Sequence, residues 1–259
     1  MNCENQGTPI AVIIDEKEKD KTKQKLLLSV EPDKSKVVTY LKDLTLKPHQ
    51  RFQQIPNFSV ERTILYITAP SGQGKSYYTR QYADEYKRIF PKRDVYLFSS
   101  LGDEGSIDKI KNLKRIKLTR EFLSEDITAK DFQDSLVIFD DTDCITDKFV
   151  KAKVQGILNS LLETGRHFNA SVVYTSHASC NSNDTKKILN ECHSVTLFPN
   201  GLGGRSLKYL LDQYLGLDKK QIERIKKLKG RWVTILKSYP MVCLSENQAY
   251  ILNDKEGDE

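Results

Sequence analysis

TILYITAPSGQGKSYYTRQYADEYKRI, residues 63–89, changes its hydrophobic period midway, and that change decides the fold. TILYIT (63–68) is a continuous apolar run of the kind found in strands covered on both faces. From residue 75 onward, Tyr78, Tyr82, Tyr86 and Ile89 recur at helical spacing, which predicts a helix over 75–89. The turn joining them, Ala69-Pro70-Ser71-Gly72-Gln73-Gly74-Lys75-Ser76, matches G-x-x-x-x-G-K-[ST] with Ala69 at the first glycine. Gly72 and Gly74 let successive backbone N–H groups converge on phosphates, and the helix N-terminus adds its partial positive charge. Lys75 is placed to reach β and γ oxygens, and the Ser76 hydroxyl is a candidate Mg2+ ligand. Pro70, Ser71, Gly72, Gln73, Gly74, Lys75, Ser76 and Tyr77 are therefore the candidate ATP-binding residues. Ala69 fits if its backbone angles are ordinary, since a methyl is a small intrusion.

The same alternation continues outward. DVYLFS (94–99), RIKL (115–118), SLVIFD (135–140), ASVVYT (170–175) and HSVTLF (193–198) read as strands. Helices are expected at 184–190, at 205–214 and after Thr146, a candidate cap, where Val150, Val154, Ile157, Leu158 and Leu161 form one stripe ended by Gly165. Strands alternating with helices imply an α/β P-loop NTPase: a central, mainly parallel sheet flanked by helices, with one additional strand between the Walker A and Walker B strands. WVTIL (232–236), MVCL (241–244) and AYIL (249–252) predict antiparallel edge strands at the C-terminus. LVIFDD ends a buried strand in two carboxylates, costly unless a cation or a reacting water is present. Asp140 is the candidate Mg2+ ligand and Asp141 the group that orients or deprotonates water. Ser176 and His177, closing the strand 170–175, are candidate γ-phosphate sensors. Arg166 in Gly-Arg-His and Arg205 in Gly-Gly-Arg are candidates to stabilise transition-state charge from a neighbouring subunit.

The 259 residues carry a net charge of +6, unevenly placed. KKQIERIKKLKGR (219–231) has seven Lys/Arg and one acid, and KIKNLKRIKLTR (109–120) has six Lys/Arg and no acid, which leaves the rest of the chain net negative. Such concentration suits a polyanion or a solvated face. On a helix from about residue 219 to 229, Ile222, Ile225 and Leu228 share one face with Lys220, Arg224 and Lys227 opposite, the candidate DNA-tracking face. No apolar run approaches the roughly 20 residues of a membrane span and no signal-peptide core opens the chain, so a soluble intracellular protein is expected. The five cysteines are odd in number and widely spaced, as reduced thiols are. His177, Cys180, Cys192 and His193 include four zinc-type ligands, but the adjacent pair would point to opposite strand faces. Residues 1–60 read as an N-terminal extension, partly flexible, because 15–25 holds nine charges in eleven positions. Residues 61–253 read as the ATPase domain and 254–259 as an acidic tail.

The set APSGQGKS, LVIFDD, ETGRHFN and VVYTSHAS, in this order, resembles the poxvirus-type genome-packaging ATPases of large DNA viruses, in the FtsK–HerA superfamily of P-loop motors. The resemblance spans roughly residues 60–250. It implies an ATP- and Mg2+-dependent, ring-forming homo-oligomer that moves double-stranded DNA without regard to sequence, meets capsid or virion components, and works in the host cytoplasm at the site of virus assembly. Lys75 and Ser76 fall on the Walker A positions, Asp140 and Asp141 on the Walker B pair, Ser176-His177 on the polar motif and Arg166 on the arginine region. Asp141 stands where many members have Glu, and Ser176-His177 where Gln is common. The readings to be told apart from a motor are a filamentous-phage-type assembly ATPase, which usually carries a membrane segment, and a nucleotide-binding scaffold protein.

Overall fold

The computed structural model describes residues 1–20, 25–31, 39–102, 105–177 and 183–252. The segment 254–259 and Cys180 lie outside the described residues. In chain order the strands are β1 (Thr8–Asp15), β2 (Lys25–Val30), β3 (Asp43–Thr45), β4 (Gln50–Gln54), β5 (Ile64–Thr68), β6 (Asp94–Ser99), β7 (Leu113–Ile116), β8 (Ser135–Asp140), β9 (Ser171–Ser176), β10 (Ser194–Leu197), β11 (Val233–Leu236), β12 (Val242–Ser245) and β13 (Gln248–Ile251). The helices are α1 (Lys75–Ile89), α2 (Lys148–Thr164), α3 (Asn183–Glu191), α4 (Gly204–Tyr209) and α5 (Lys219–Lys226). Two compact units divide the chain, Val60–Cys192 and Met1–Ser59 together with His193–Glu259. The residues read from sequence as an N-terminal extension thus share a unit with the C-terminal strands.

In the unit Val60–Cys192, five parallel strands run in the order β5-β9-β8-β6-β7. The additional strand expected between β5 and β8 is β9. Every residue of β5, β8 and β9 is buried, which explains their unbroken apolar runs. At the end of the order, β7 is mostly half-buried and carries Lys114 and Arg115. Helix α1 buries Tyr78, Tyr82 and Tyr86, and the Tyr82 hydroxyl lies 2.9 Å from Thr63 Oγ1. Burial raises the Tyr82 phenol well above its ordinary value, so it serves packing rather than proton transfer. Phe98 stacks on Phe139 at 4.8 Å between ring centres and meets Phe132 edge-on.

Helix α2 begins one residue later than a Thr146 cap requires. Asp147 is the cap, its Oδ1 accepting from the N–H groups of Phe149 at 2.9 Å and Val150 at 3.3 Å. A carboxylate accepts these bonds and complements the helix dipole, which a hydroxyl does less well. The far end is held by Arg62, whose guanidinium donates to the carbonyls of Leu161 and Leu162.

In the other unit, β10, β11, β12, β13 and β3 are successive antiparallel neighbours, and β1 pairs antiparallel with β2 and β4 in a separate sheet. The C-terminal antiparallel strands match the expectation, whereas β3 and β4 are short segments that the sequence did not signal. Phe52 N–H donates to the Glu246 carbonyl and Gln54 Nε2 to Ser194 Oγ, so β4 is bonded to C-terminal residues. The helix expected over 205–214 is α for six residues and then widens into a π turn, Leu210–Tyr214. Helix α5 is also shorter than expected, ending at Lys226 with Lys227 as its C-cap.

Candidate nucleotide site

Parallel register decides which side chains meet. Thr68 on β5 is opposite Ser176 on β9, and Ser99 on β6 is opposite Asp140 on β8. The loops that follow these four residues therefore open at the same end of the sheet, where ligands of open α/β folds bind. A cavity of about 480 Å3 lies there, lined among others by Gly72, Gly74, Lys75, Ser76, Asp141 and His177.

The loop 69–74 is shaped by two glycines in the left-handed region, Gly72 at φ 76° and Gly74 at φ 106°. Gly74 is the N-cap of α1, no side chain caps it, and no acid stands in the first turn. The orphan N–H groups of the helix are left to point at a ligand. Ala69 needs no glycine: its φ is not positive, it is fully buried, and its N–H donates to the Ser176 carbonyl at 3.2 Å. Ser71, Gly72, Gly74, Lys75, Ser76 and Tyr77 line the cavity; Pro70 and Gln73 belong to the loop without forming its wall.

Lys75 is only 5% exposed. Its ammonium donates to the Ala69 carbonyl at 2.9 Å and to His177 Nδ1 at 3.1 Å, and stands 3.9 Å from Asp141 Oδ1. His177 Nε2 lies 3.0 Å from the same Asp141 oxygen. An ammonium can only donate, so Nδ1 accepts, and the bond to Asp141 assigns the imidazole proton to Nε2. Lysine, imidazole and carboxylate thus form one closed chain on the cavity wall.

Asp141 sits at φ 49°, ψ 34°, a left-handed conformation that Asp tolerates better than most residues. That bend turns its side chain out of the strand direction of Asp140. The device that holds both is Thr175, which the sequence reading passed over. Its hydroxyl donates to Asp140 Oδ1 at 2.8 Å and accepts from the Asp141 N–H at 3.1 Å. Phe139 is opposite Tyr174 in the β8–β9 register, so the next residue on each strand brings Thr175 beside Asp140. A hydroxyl one residue before Ser176-His177 was the available sign. Ser100 Oγ donates to the Asp141 carbonyl at 3.0 Å and adds a second restraint.

Ser176, Arg166 and Arg205 do not line the cavity. The Ser176 hydroxyl turns toward Asp143, donating to Oδ2 at 3.3 Å, and only His177 of the Ser-His pair lines the cavity. Arg166 is exposed in the turn before β9, at the opposite end of the strand from His177. At ~3.3 Å per residue β9 separates them by about 17 Å, so Arg166 does not serve its own cavity. Arg205 is exposed in the first turn of α4, in the other unit. Cys144 was not foreseen as a wall residue; its thiol is raised above the ordinary value, first by burial and then by Asp143 and Asp141. Ser76 lines the cavity, whereas Asp140 is buried, does not line it, and accepts from Thr175 at Oδ1; both are hard oxygen donors of the kind Mg2+ takes, so the donor types fit that ion.

No protein-family model matches the sequence. The chain is 38% identical over 256 residues to uncharacterized protein V3 of Sputnik virophage, a match covering 97% of this chain and 98% of that protein. It superposes on the DNA-packaging ATPase B204 of Sulfolobus turreted icosahedral virus with a TM-score of 0.51 at 15% identity, over 72% of this chain and 98% of that one. The cytoplasmic domain of the type VII secretion ATPase EccC of Thermomonospora curvata gives a TM-score of 0.51 at 9% identity, over 85% of this chain and 30% of that one. At these identities the two superpositions establish a shared fold. No described helix is long and apolar enough to cross a membrane.

Proposed function

The chain belongs to the family of the Sputnik virophage protein V3 and has the fold of viral packaging ATPases of the FtsK–HerA type, and from this we propose that it is an ATP-hydrolysing motor that translocates double-stranded DNA, packaging a viral genome into its capsid. The observation that carries the reading is the contact of Lys75 and His177 with Asp141 beside an uncapped helix N-terminus. A phosphate cradle alone serves a binding protein; a carboxylate bonded to an imidazole at its rim is the equipment for moving a proton from water. In this proposal the N–H groups of the loop and Lys75 hold the phosphates, Asp141 orients and deprotonates the attacking water, and His177 fixes the Asp141 carboxylate. Ser76 and Asp140 would hold Mg2+, which would supply neutralisation of phosphate charge. ATP, rather than a free phosphate, is the ligand implied by Lys75 together with a water-directing acid.

Arg166 lies at the end of β9 remote from its own cavity, which supports a ring in which an arginine of one subunit, Arg166 or Arg205, serves the cavity of the next. Such a group is worth several orders of magnitude in phosphoryl transfer. The family relationship to a virophage protein supports a role in virus assembly in the host cytoplasm, in contact with capsid or virion components.

ATP turnover measured with and without duplex DNA tests the proposal. The parent chain should hydrolyse ATP and accelerate on DNA. Asp141→Asn should bind ATP and turn it over at least ~100-fold more slowly, because only the water-directing group changes. Mixing Asp141→Asn with Arg166→Ala should restore part of the activity if the ring shares its sites. Parent-rate hydrolysis by Asp141→Asn overturns the catalytic assignment, and ATP turnover indifferent to DNA overturns the motor.

A further inference from the structure

We infer that the DNA-contacting surface of this chain is the exposed basic rim formed by Lys219, Lys220, Lys227, Lys229 and Arg231; the inference rests on the motor reading above and names where that motor holds the phosphate backbone. Two basic stretches compete for this role, and the structure treats their charges differently. In 109–120, Lys114 is paired with Asp94 at 2.7 Å, Arg115 with Asp108 at 2.7 Å and Arg120 with Asp147 at 3.3 Å, so half of its six bases are already engaged. In 219–231 the engaged bases are Arg224, bonded to Asp43 and lying 3.6 Å over the Tyr250 ring, and Lys226, bonded to Glu223 at 2.9 Å. Arg224 is thereby committed to the fold and leaves the DNA face expected from the helical wheel. The other five are exposed, and none forms an ion pair or a side-chain hydrogen bond among the described residues.

The acids of this region are also spent. Asp218 caps α5, accepting from the Gln221 N–H at 2.8 Å. Glu223 is held below the ordinary carboxylate value by Lys226 first, with Lys227 and Lys219 acting on it as well. Glu246 accepts from the Arg231 N–H at 3.0 Å. What remains outward is a surplus of positive charge, five exposed bases beside three carboxylates that are already bonded to other groups.

The partner is identified by what the surface lacks. Ile222, Ile225 and Trp232 are buried, and no large apolar side chain from 219 to 231 is exposed. Protein partners are gripped through an apolar, aromatic centre with a polar rim. A phosphate backbone asks only for spaced cations, whose binding is driven by counter-ion release. Charge without an apolar centre fits a duplex read without regard to sequence.

Fluorescence anisotropy of the full chain on a labelled random-sequence duplex, at a series of salt concentrations, tests this. The variant Lys219→Gln, Lys220→Gln, Lys227→Gln, Lys229→Gln, Arg231→Gln should lose at least ~10-fold in affinity at low salt, and the slope of log K against log salt should fall by up to about 4. Its ATP turnover without DNA should stay at the parent rate, which shows the fold is intact, while DNA stimulation is lost. A second variant, Lys109→Gln, Lys111→Gln, Lys117→Gln, should keep most of the parent affinity. Duplex binding by the parent that the five-fold variant retains overturns this inference alone, as does an equal loss in the second variant. Poly-glutamate bound as tightly as duplex overturns the assignment to DNA. Absence of duplex binding by the parent chain overturns the motor reading, and this inference with it.

Discussion

Thr175→Val separates the clamp on the two aspartates from everything else in the site. Thr175 is fully buried, and valine has the same β-branched shape, so the change removes a hydroxyl without opening a large cavity. The change removes the 2.8 Å bond that the hydroxyl donates to Asp140 and the 3.1 Å bond it accepts from the Asp141 N–H. A buried hydrogen bond to a carboxylate contributes about 1.5–3 kcal/mol and a neutral one about 1 kcal/mol. Part of this is regained by relaxation, which leaves an expected loss of about 2 kcal/mol in urea unfolding. The catalytic consequence is larger in proportion. Asp141 is held in a left-handed conformation partly by the N–H bond it loses, and a misplacement near 1 Å costs about 100-fold in rate. ATP turnover should therefore fall about 10- to 100-fold in kcat, with KM for ATP changed by less than about threefold, since the side-chain bonds of Thr175 go to Asp140 and Asp141 rather than to Lys75 or the loop 69–74. Thr175→Ser keeps the hydroxyl and should recover most of kcat. A Thr175→Val protein that loses stability yet keeps the parent kcat would refute the positioning role and reduce Thr175 to a structural hydrogen bond.

Cys144 lines the nucleotide cavity and is exposed, whereas burial pushes the Cys243 thiol up to about 12. Iodoacetamide followed by mass spectrometry should label Cys144 in the native protein, faster as pH rises because burial and the Asp143 and Asp141 carboxylates hold its thiol above the ordinary value, and ATPγS should protect it; unprotected labelling would place nucleotide elsewhere. Cys243 should react only on unfolding. Bonds from the Val150 and Phe149 N–H groups lower the Asp147 carboxyl, so its stabilisation of α2 is complete above the ordinary carboxylate value and disappears as pH falls through the lowered one. Melting temperature followed from about pH 5 down to about pH 2 should fall more steeply for the parent than for Asp147→Asn, and identical slopes would show that the cap carries no titratable stability.

Much of the candidate nucleotide site was legible because it is local. The loop from Ala69 to Ser76 is contiguous, its glycines answer to two positive φ values, and the strand before it and the helix after it announce themselves by period alone. LVIFDD was likewise readable as a buried strand ending in acid. The clamp was not, since Thr175 and Asp140 are 35 residues apart and meet only through the register of β8 and β9. Nor was the cap of α2, where Thr146 and Asp147 are both acceptable by type and one residue of helix phase chose between them.

By itself the sequence determined the class of chain and the chemistry on offer: an α/β fold with a parallel sheet and antiparallel edge strands, a glycine-rich loop of the phosphate-binding pattern, a pair of strand-end carboxylates and two concentrations of basic charge. These follow from periodicity, from glycine placement and from residue type, which act over a few neighbours. Tertiary structure decided which groups touch. It bonded His177 to Lys75 and Asp141, set Arg166 at the far end of β9, and joined Arg224 to Asp43 across 181 residues. The helical wheel of α5 shows Arg224 outward and basic; only the packing of β3 and β13 beside it supplies the carboxylate and the ring that claim it. Charges pair through space, and the distances that make one cation structural and leave its neighbour without an ion pair exist only once the strands have found their order.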